Sequence, residues 1–166
     1  MNNMSKTYTL LICGSRTINL TAKNIEDTIE LINKKEKEEL QKQLDESTIS
    51  FLDWVDSHRP INAISRVISG GAKGPDTTAM EWAKSRRLEG RTYMARWETY
   101  GKSAGILRNK IMVKMSDVCL AFWDGKSKGT EFTFNYALKM GKKVYVVLCT
   151  DDKIGNPEEV VPQTEW

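Results

Sequence analysis

The sequence predicts a single doubly wound α/β domain built on a parallel sheet of about five strands. Two observations predict it. Short apolar, β-rich runs alternate with longer helical patterns along the chain, and the inner runs are near-continuously apolar, as strands covered by helices on both faces must be. A third observation gives the domain a working edge. Three glycine-rich loops leave the carboxyl ends of strands, where ligands bind in sheets of this kind.

The first strand is read at Thr7–Cys13 (TYTLLIC), closed by Gly14-Ser15-Arg16. From Ile25 to about Ser57 the pattern turns helical, with Ile25, Ile29, Ile32, Leu40 and Leu44 at helical spacing and Phe51, Leu52 and Val55 extending the stripe. Within it, Lys34–Glu39 (KKEKEE) reads as a solvated helix face of mixed sign. A second strand is expected over Ala63–Ser69. A helix over Thr77–Leu88 follows, with Gly74 as its cap and Pro75 at its first position. Arg91–Ala95 is the third strand, Trp97–Ser103 a loop, Ala104–Met115 a helix and Asp117–Trp123 the fourth strand. The turn Asp124–Gly129 opens a helix over Thr130–Met140, and Lys143–Leu148 is the fifth strand. Asp152–Trp166 holds Pro157 and Pro162 without periodicity and reads as a tail, docked if at all through Trp166.

Composition narrows the function. With 166 residues, 40% apolar and 28% charged, the chain has the size and balance of one ordinary globular domain. No apolar run reaches the roughly twenty residues that span a bilayer, and the apolar stretch before Gly14 is too short for a signal-peptide core. A cytoplasmic location is the default. Cys13, Cys119 and Cys149 lie far apart in apolar segments, as buried reduced thiols do. His58 is the one histidine, so a His-based zinc site is excluded and no metal is expected; beside Arg59-Pro60 it reads as a solvated helix end. The formal charge of +3 is too mild to mark a nucleic-acid binder.

The three loops are Gly14-Ser15-Arg16, Gly70-Gly71-Ala72-Lys73-Gly74 and Gly125-Lys126-Ser127-Lys128-Gly129-Thr130. Glycine lets the backbone approach an anion, and the helix that follows points its free N–H groups at the same place. Lysine, arginine and hydroxyl side chains add charge and donors. Any one loop is satisfied by turn chemistry alone; three on one edge point to phosphate or nucleotide binding. The candidate contacts include Asp76, after the second loop, and Glu131, after the third. Trp97 and Tyr100 are placed to cover a base or ribose, or to act as lids on the core. Arg108 and Asn109 are helical polar groups; Arg108 either meets an anion or pairs with a surface carboxylate. Gly101-Lys102-Ser103 is not a P-loop, because Arg96 occupies the required glycine position, and no G-x-G-x-x-G follows the first strand.

In order, these blocks resemble the YspA-type (YAcAr) branch of the SLOG superfamily. They are Gly14-Ser15-Arg16, Ser69–Asp76, Trp97, Tyr100-Gly101-Lys102, Ala104-Gly105, Arg108-Asn109, Met112, Asp117 and Gly129-Thr130. The resemblance spans roughly residues 7–149 and implies a Rossmann-like fold of strand order 3-2-1-4-5 with the ligand over strands one and four. It also implies one SLOG-like domain over residues 1–150, a helical insertion near 21–45 and a C-terminal tail over 151–166. Insertion or tail is expected to build a dimer surface or a lid, and the protein to be a homo-oligomer. Lonely-guy relatives in the superfamily release a base from nucleoside monophosphates with an Arg-Lys pair and a Gly-Gly-x-Gly-Thr-x-x-Glu motif. Here Asn109 replaces the lysine and Thr133 stands where the catalytic glutamate belongs; Glu131 would face away from that position.

Three functions follow as expectations. The first is a binding module that senses or sequesters a nucleotide-derived signal of ADP-ribose type, without a cofactor, which family context extends to a viral protein that captures such signals. The second is a Lonely-guy-type phosphoribohydrolase. The third is a single-strand nucleic-acid binder like DprA, against which the mild charge argues.

Overall fold

A computed structural model of the chain describes residues 7–46, 63–151 and 153–162. The predicted helical continuation to Ser57, the cluster Phe51, Leu52 and Val55, His58, and Trp166 lie outside the described residues.

The elements alternate as expected. Strand β1 covers Tyr8–Gly14 and helix α1 Ala22–Asp45. Strand β2 covers Ile64–Gly70, helix α2 Pro75–Ser85 and strand β3 Glu89–Tyr93. A short helix α3, Trp97–Tyr100, leads through a 3-10 turn at Gly101–Ser103 into α4, Ala104–Lys114. Strand β4 (Val118–Trp123), helix α5 (Lys128–Lys139) and strand β5 (Lys143–Thr150) follow. The sheet order is β3-β2-β1-β4-β5-β6, with every neighbouring pair parallel except the last.

The sixth strand, Lys153–Val160, corrects the reading of residues 151–166 as a tail. It turns at Asp151, whose φ is 49°, and pairs antiparallel with β5, Val144 opposite Val160 and Thr150 opposite Lys153. The register shifts between Val147 and Cys149, where Gly155 lies so close to the carbonyl of Leu148 that a Cβ would clash. A proline and a bulge are tolerated because this is an edge strand. Smaller differences lie elsewhere. Strand β3 starts two residues before the predicted Arg91, and the predicted loop Trp97–Ser103 is helical.

One face of the sheet carries α1 and α2. Ile25, Ile29 and Ile32 of α1 and Ala79, Trp82 and Ala83 of α2 are buried with Leu10, Ile12, Leu120 and Phe122. The opposite face, with Leu11, Cys13, Cys119 and Ala121, is covered by Met112 and Val113 of α4 and Phe134 and Ala137 of α5. The strands are therefore apolar on both faces, which is why their sequences do not alternate. Cys13, Cys119 and Cys149 are free and buried. Among the described residues, no helix is long and apolar enough to cross a membrane.

The segment near 21–45 is a core helix. Thr21 caps it in a capping box with Asn24, and its isoleucine stripe seals the first face. Its charged run is not wholly a solvated face. Glu36 turns inward, accepts a hydrogen bond from the Tyr145 hydroxyl and pairs with Lys143 at 2.9 Å, the two side chains being 10% and 11% exposed. Removing one partner of such a pair strands the other's charge. Lys143→Met is therefore expected to lower stability by about 2–3 kcal/mol. The double variant Glu36→Gln, Lys143→Met should recover most of that loss in urea titrations; a loss that persists would show that the pair contributes through packing alone.

Candidate functional site

The site begins with strand order. β1 and β4 lie side by side, Gly14 opposite Phe122. The chain leaves β1 toward β2 and β3 on one side, and leaves β4 toward β5 on the other. Loops that diverge at such a switch point open a crevice at the carboxyl edge. The crevice here is a cleft of about 470 Å³.

The two loops that flank it are tied to one another. The Ser15 amide donates to the Phe122 carbonyl at 2.9 Å, and the Ser15 hydroxyl oxygen accepts from the Asp124 amide at 3.1 Å. The Asp124 carboxylate accepts from the amides of Lys126 and Ser127 and from the Thr17 hydroxyl, each at 2.8 Å. The Ser127 amide, then that of Lys126 and the Thr17 hydroxyl, hold the Asp124 carboxyl down at about 2. Asp124 is thus an ionised brace across the mouth of the cleft. Ser127 then caps α5, its hydroxyl oxygen accepting from the Thr130 amide. The amides of Lys128 and Gly129 have no intrahelical partner, as in the first turn of any helix.

The opposite wall comes from β2, α2 and α4. Asp76, in the first turn of α2, is 7% exposed and accepts from the Ala72 amide at 3.3 Å. Burial pushes its carboxyl up to about 6, against the opposing effects of the Ala72 amide, Arg108 and Arg16. Arg108, half-buried on α4, donates from Nε to Asn109 Oδ1 at 2.8 Å and from Nη1 to the Tyr93 carbonyl at 3.3 Å. Its guanidinium pKa is lowered by burial first, with Asp76 opposing and Arg16 adding to the effect. Arg16 is exposed on the β1 loop and lines the same cleft.

The structure therefore brings Gly14, Arg16, Asp76, Arg108 and Asn109 together, with Ser127, Gly129 and Thr130 facing them. The other predicted residues do not line the cleft. Ser15 is buried beneath it as part of the loop tie. Gly70 lies behind Arg108 and Asp76, and Gly71 packs under Met94. Gly74 turns the chain into α2 at φ 90°, with exposed Lys73 before it. Gly125 makes the β4 turn at φ 81° beside Leu148, and Lys128 points outward. Trp97 and Tyr100 stand 56% and 52% exposed away from the cleft, Trp97 against Gly105 of α4. Glu131 is turned off by the helical step that separates it from Thr130.

Several lining residues were not among the predicted contacts: Thr17, Ala72, Asp124 and Lys126 at the walls, Cys13, Met112 and Thr133 at the floor. Asp124 had a signal, since an aspartate before glycine at the end of a strand is a turn-bracing residue. Cys13 and Met112 had none, because a floor made of core side chains looks like core. Thr133, the position lacking the acid, donates its hydroxyl to the Gly129 carbonyl at 2.9 Å.

No family model matches the chain. It is 46% identical over 81 residues to the gene 61 protein of Mycobacterium phage D29, an alignment covering 45% of this chain and 65% of that protein. The chain thus spans just under two thirds of that relative's length. The fold is similar to the X-ray structure of DNA processing protein A (DprA) from Streptococcus pneumoniae, with a TM-score of 0.57 and 17% sequence identity, over 87% of this chain and 51% of that one. The chain has a DprA-like fold and a phage protein among its relatives.

Proposed function

We propose that the cleft binds a nucleotide or nucleotide-derived ligand of ADP-ribose type, and that the protein senses or sequesters it as a member of the YspA-type branch of the SLOG superfamily. The observation that carries this reading is the convergence of Arg16 and Arg108 on one cleft into which the first turn of α5 opens. Two guanidinium groups and unpaired helix amides form an anion site, and arginine suits bidentate phosphate pairing. A volume near 470 Å³ is within the range of small-molecule sites. The phage relative supports a viral protein that captures a host signal. Binding without turnover is the favoured form, because Thr133 supplies no acid at the floor. A cytoplasmic location belongs to the same proposal. So does a homo-oligomer, supported by Ile106 and Ile111 on α4 and Met115 just past its end, which stand exposed; light scattering of the purified protein checks it.

A second reading is single-stranded nucleic acid. The fold it shares with a DNA processing protein favours it, as do the exposed Trp97 and Tyr100 beside Arg96 and Lys102. Salt-dependent quenching of tryptophan fluorescence by a thymidine oligonucleotide would support this reading over the first.

The binding reading is tested at Gly129 and Arg16. A Cβ at Gly129 meets nothing within 4 Å, so Gly129→Val should leave the melting temperature nearly unchanged while it obstructs the approach of a phosphate. Arg16→Lys should weaken calorimetric affinity for AMP, ADP or ADP-ribose about ten- to a hundredfold, the effect of losing a charge-assisted contact. Nucleotides should return from incubation intact; release of free base would revive the hydrolase. Normal binding by both variants would move the phosphate elsewhere.

Asp76 gives a second test. Its folded pKa lies above the ordinary carboxylate value, so between about pH 4 and 6 the folded state holds a proton that the unfolded chain has lost. Its contribution to stability therefore falls as pH rises through that window. Asp76→Asn, which can still accept from the Ala72 amide, should raise stability at pH 8 by up to about 2 kcal/mol and gain nothing at pH 4. Thermal melts across that range check it. A buried charge retained at such a cost is a mark of use rather than of architecture.

A further inference from the structure

We propose that a ribose hydroxyl of the ligand sits between Asp76 and Arg108, so that the cleft selects ribonucleotide-type ligands over their deoxy counterparts. This rests on the reading of the cleft as a nucleotide site.

The geometry around Gly70 carries the argument. A Cβ there would lie 2.7 Å from Arg108 Nη1 and 2.8 Å from Asp76 Oδ2, so the cation and the carboxylate border the same point. Among the described residues, no ion pair joins them. Each is held by something else. Arg108 is spread between Asn109 Oδ1 and the Tyr93 carbonyl, and Asp76 leans on the Ala72 amide. Asp76 is more than nine-tenths buried and lines the cleft, and the hydrogen bond that its carboxylate accepts, from the Ala72 amide, falls on Oδ2 and leaves Oδ1 to the cleft.

The chemistry of that pair is selective. A guanidinium only donates and an ionised carboxylate only accepts. A phosphate beside Asp76 would face a like charge, and a bare methylene would satisfy neither group. A hydroxyl satisfies both, accepting from Arg108 and donating to Asp76. The same charges orient the ligand. The phosphate is favoured where Arg16, Arg108 and the first turn of α5 meet, and the sugar hydroxyl on the Asp76 side of Arg108. Gly70 lets both groups lie against the end of β2, since a methyl there would press on the Arg108 guanidinium and the Asp76 carboxylate. Above about pH 6 the carboxylate is ionised and ready to accept.

Calorimetry with AMP and ADP, set beside their 2′-deoxy and 3′-deoxy forms, tests this. At pH 8, one of the two deoxy series is expected to bind wild-type protein about ten- to a hundredfold more weakly than the ribonucleotide, as loss of a hydrogen bond to a charged group predicts. In Asp76→Asn, which keeps the Ala72 contact, the ratio should narrow markedly while the melting temperature does not fall. Equal affinities of ribo and both deoxy forms for wild type would overturn the hydroxyl assignment and leave the nucleotide site standing. A ratio unchanged in Asp76→Asn would also overturn it, because the hydroxyl would then be read by another residue. If none of these nucleotides nor ADP-ribose binds, the nucleotide site fails and this inference with it.

Discussion

The cleft depends on the contact between the ends of β1 and β4. Gly14 sits where a Cβ would lie 2.6 Å from Pro75 and 2.8 Å from the Phe122 carbonyl, so the two strands and the start of α2 meet with no room for a side chain. That closeness lets the Ser15 amide reach Phe122 and the Ser15 hydroxyl reach Asp124. Loops separated by more than a hundred residues are thereby fixed against each other. Arg16 leaves one side of this junction, and the turn into α5 leaves the other. Without the junction there is a sheet, but no shared mouth.

Much of the fold was legible in the sequence because burial on both faces writes itself as continuous apolar runs. Tyr8–Gly14 and Val118–Trp123 could be read almost to the residue for that reason. β6 could not. It is an edge strand, and Pro157, Gly155 and the charged pair Glu158-Glu159 remove the apolar signal that an inner strand must show. β3, at the other edge, is largely exposed, and its boundaries slipped by two residues. Glu36 was hidden for the opposite reason: within a run of like neighbours, nothing local tells which charge faces inward. Only its tertiary partners, Lys143 and Tyr145, distinguish it.

The candidate site was legible in kind but not in detail. Glycine-rich loops at carboxyl ends named the edge of the sheet, and Arg16, Asp76, Arg108 and the Ser127–Thr130 turn meet there. The glycines themselves divide into classes that sequence does not separate. Gly74 and Gly125 supply positive φ, Gly14 and Gly70 supply close packing, and Gly129 alone faces open space at the cleft. Glycine at these positions thus answers to three physical causes. Trp97 and Tyr100 are a separate case: an aromatic residue in a loop near a cleft need not line it, and here both stand exposed outside the lining.

Charge placement within the cleft adds a constraint that neither the fold nor the loops impose. Two carboxylates stand in it in opposite conditions. Asp124 is surrounded by donors, holds its charge easily and serves the loop tie; Asp76 is buried and holds its charge against desolvation. The first would be kept by any protein that needed the turn. The second is costly at neutral pH, and the nearest cation does not close on it. An apolar residue could fill that volume and an asparagine could accept from Ala72, so packing and turn geometry do not require an aspartate. On the proposed reading of the cleft as a nucleotide site, a sugar hydroxyl with a proton to donate would use that carboxylate, where a phosphate would not.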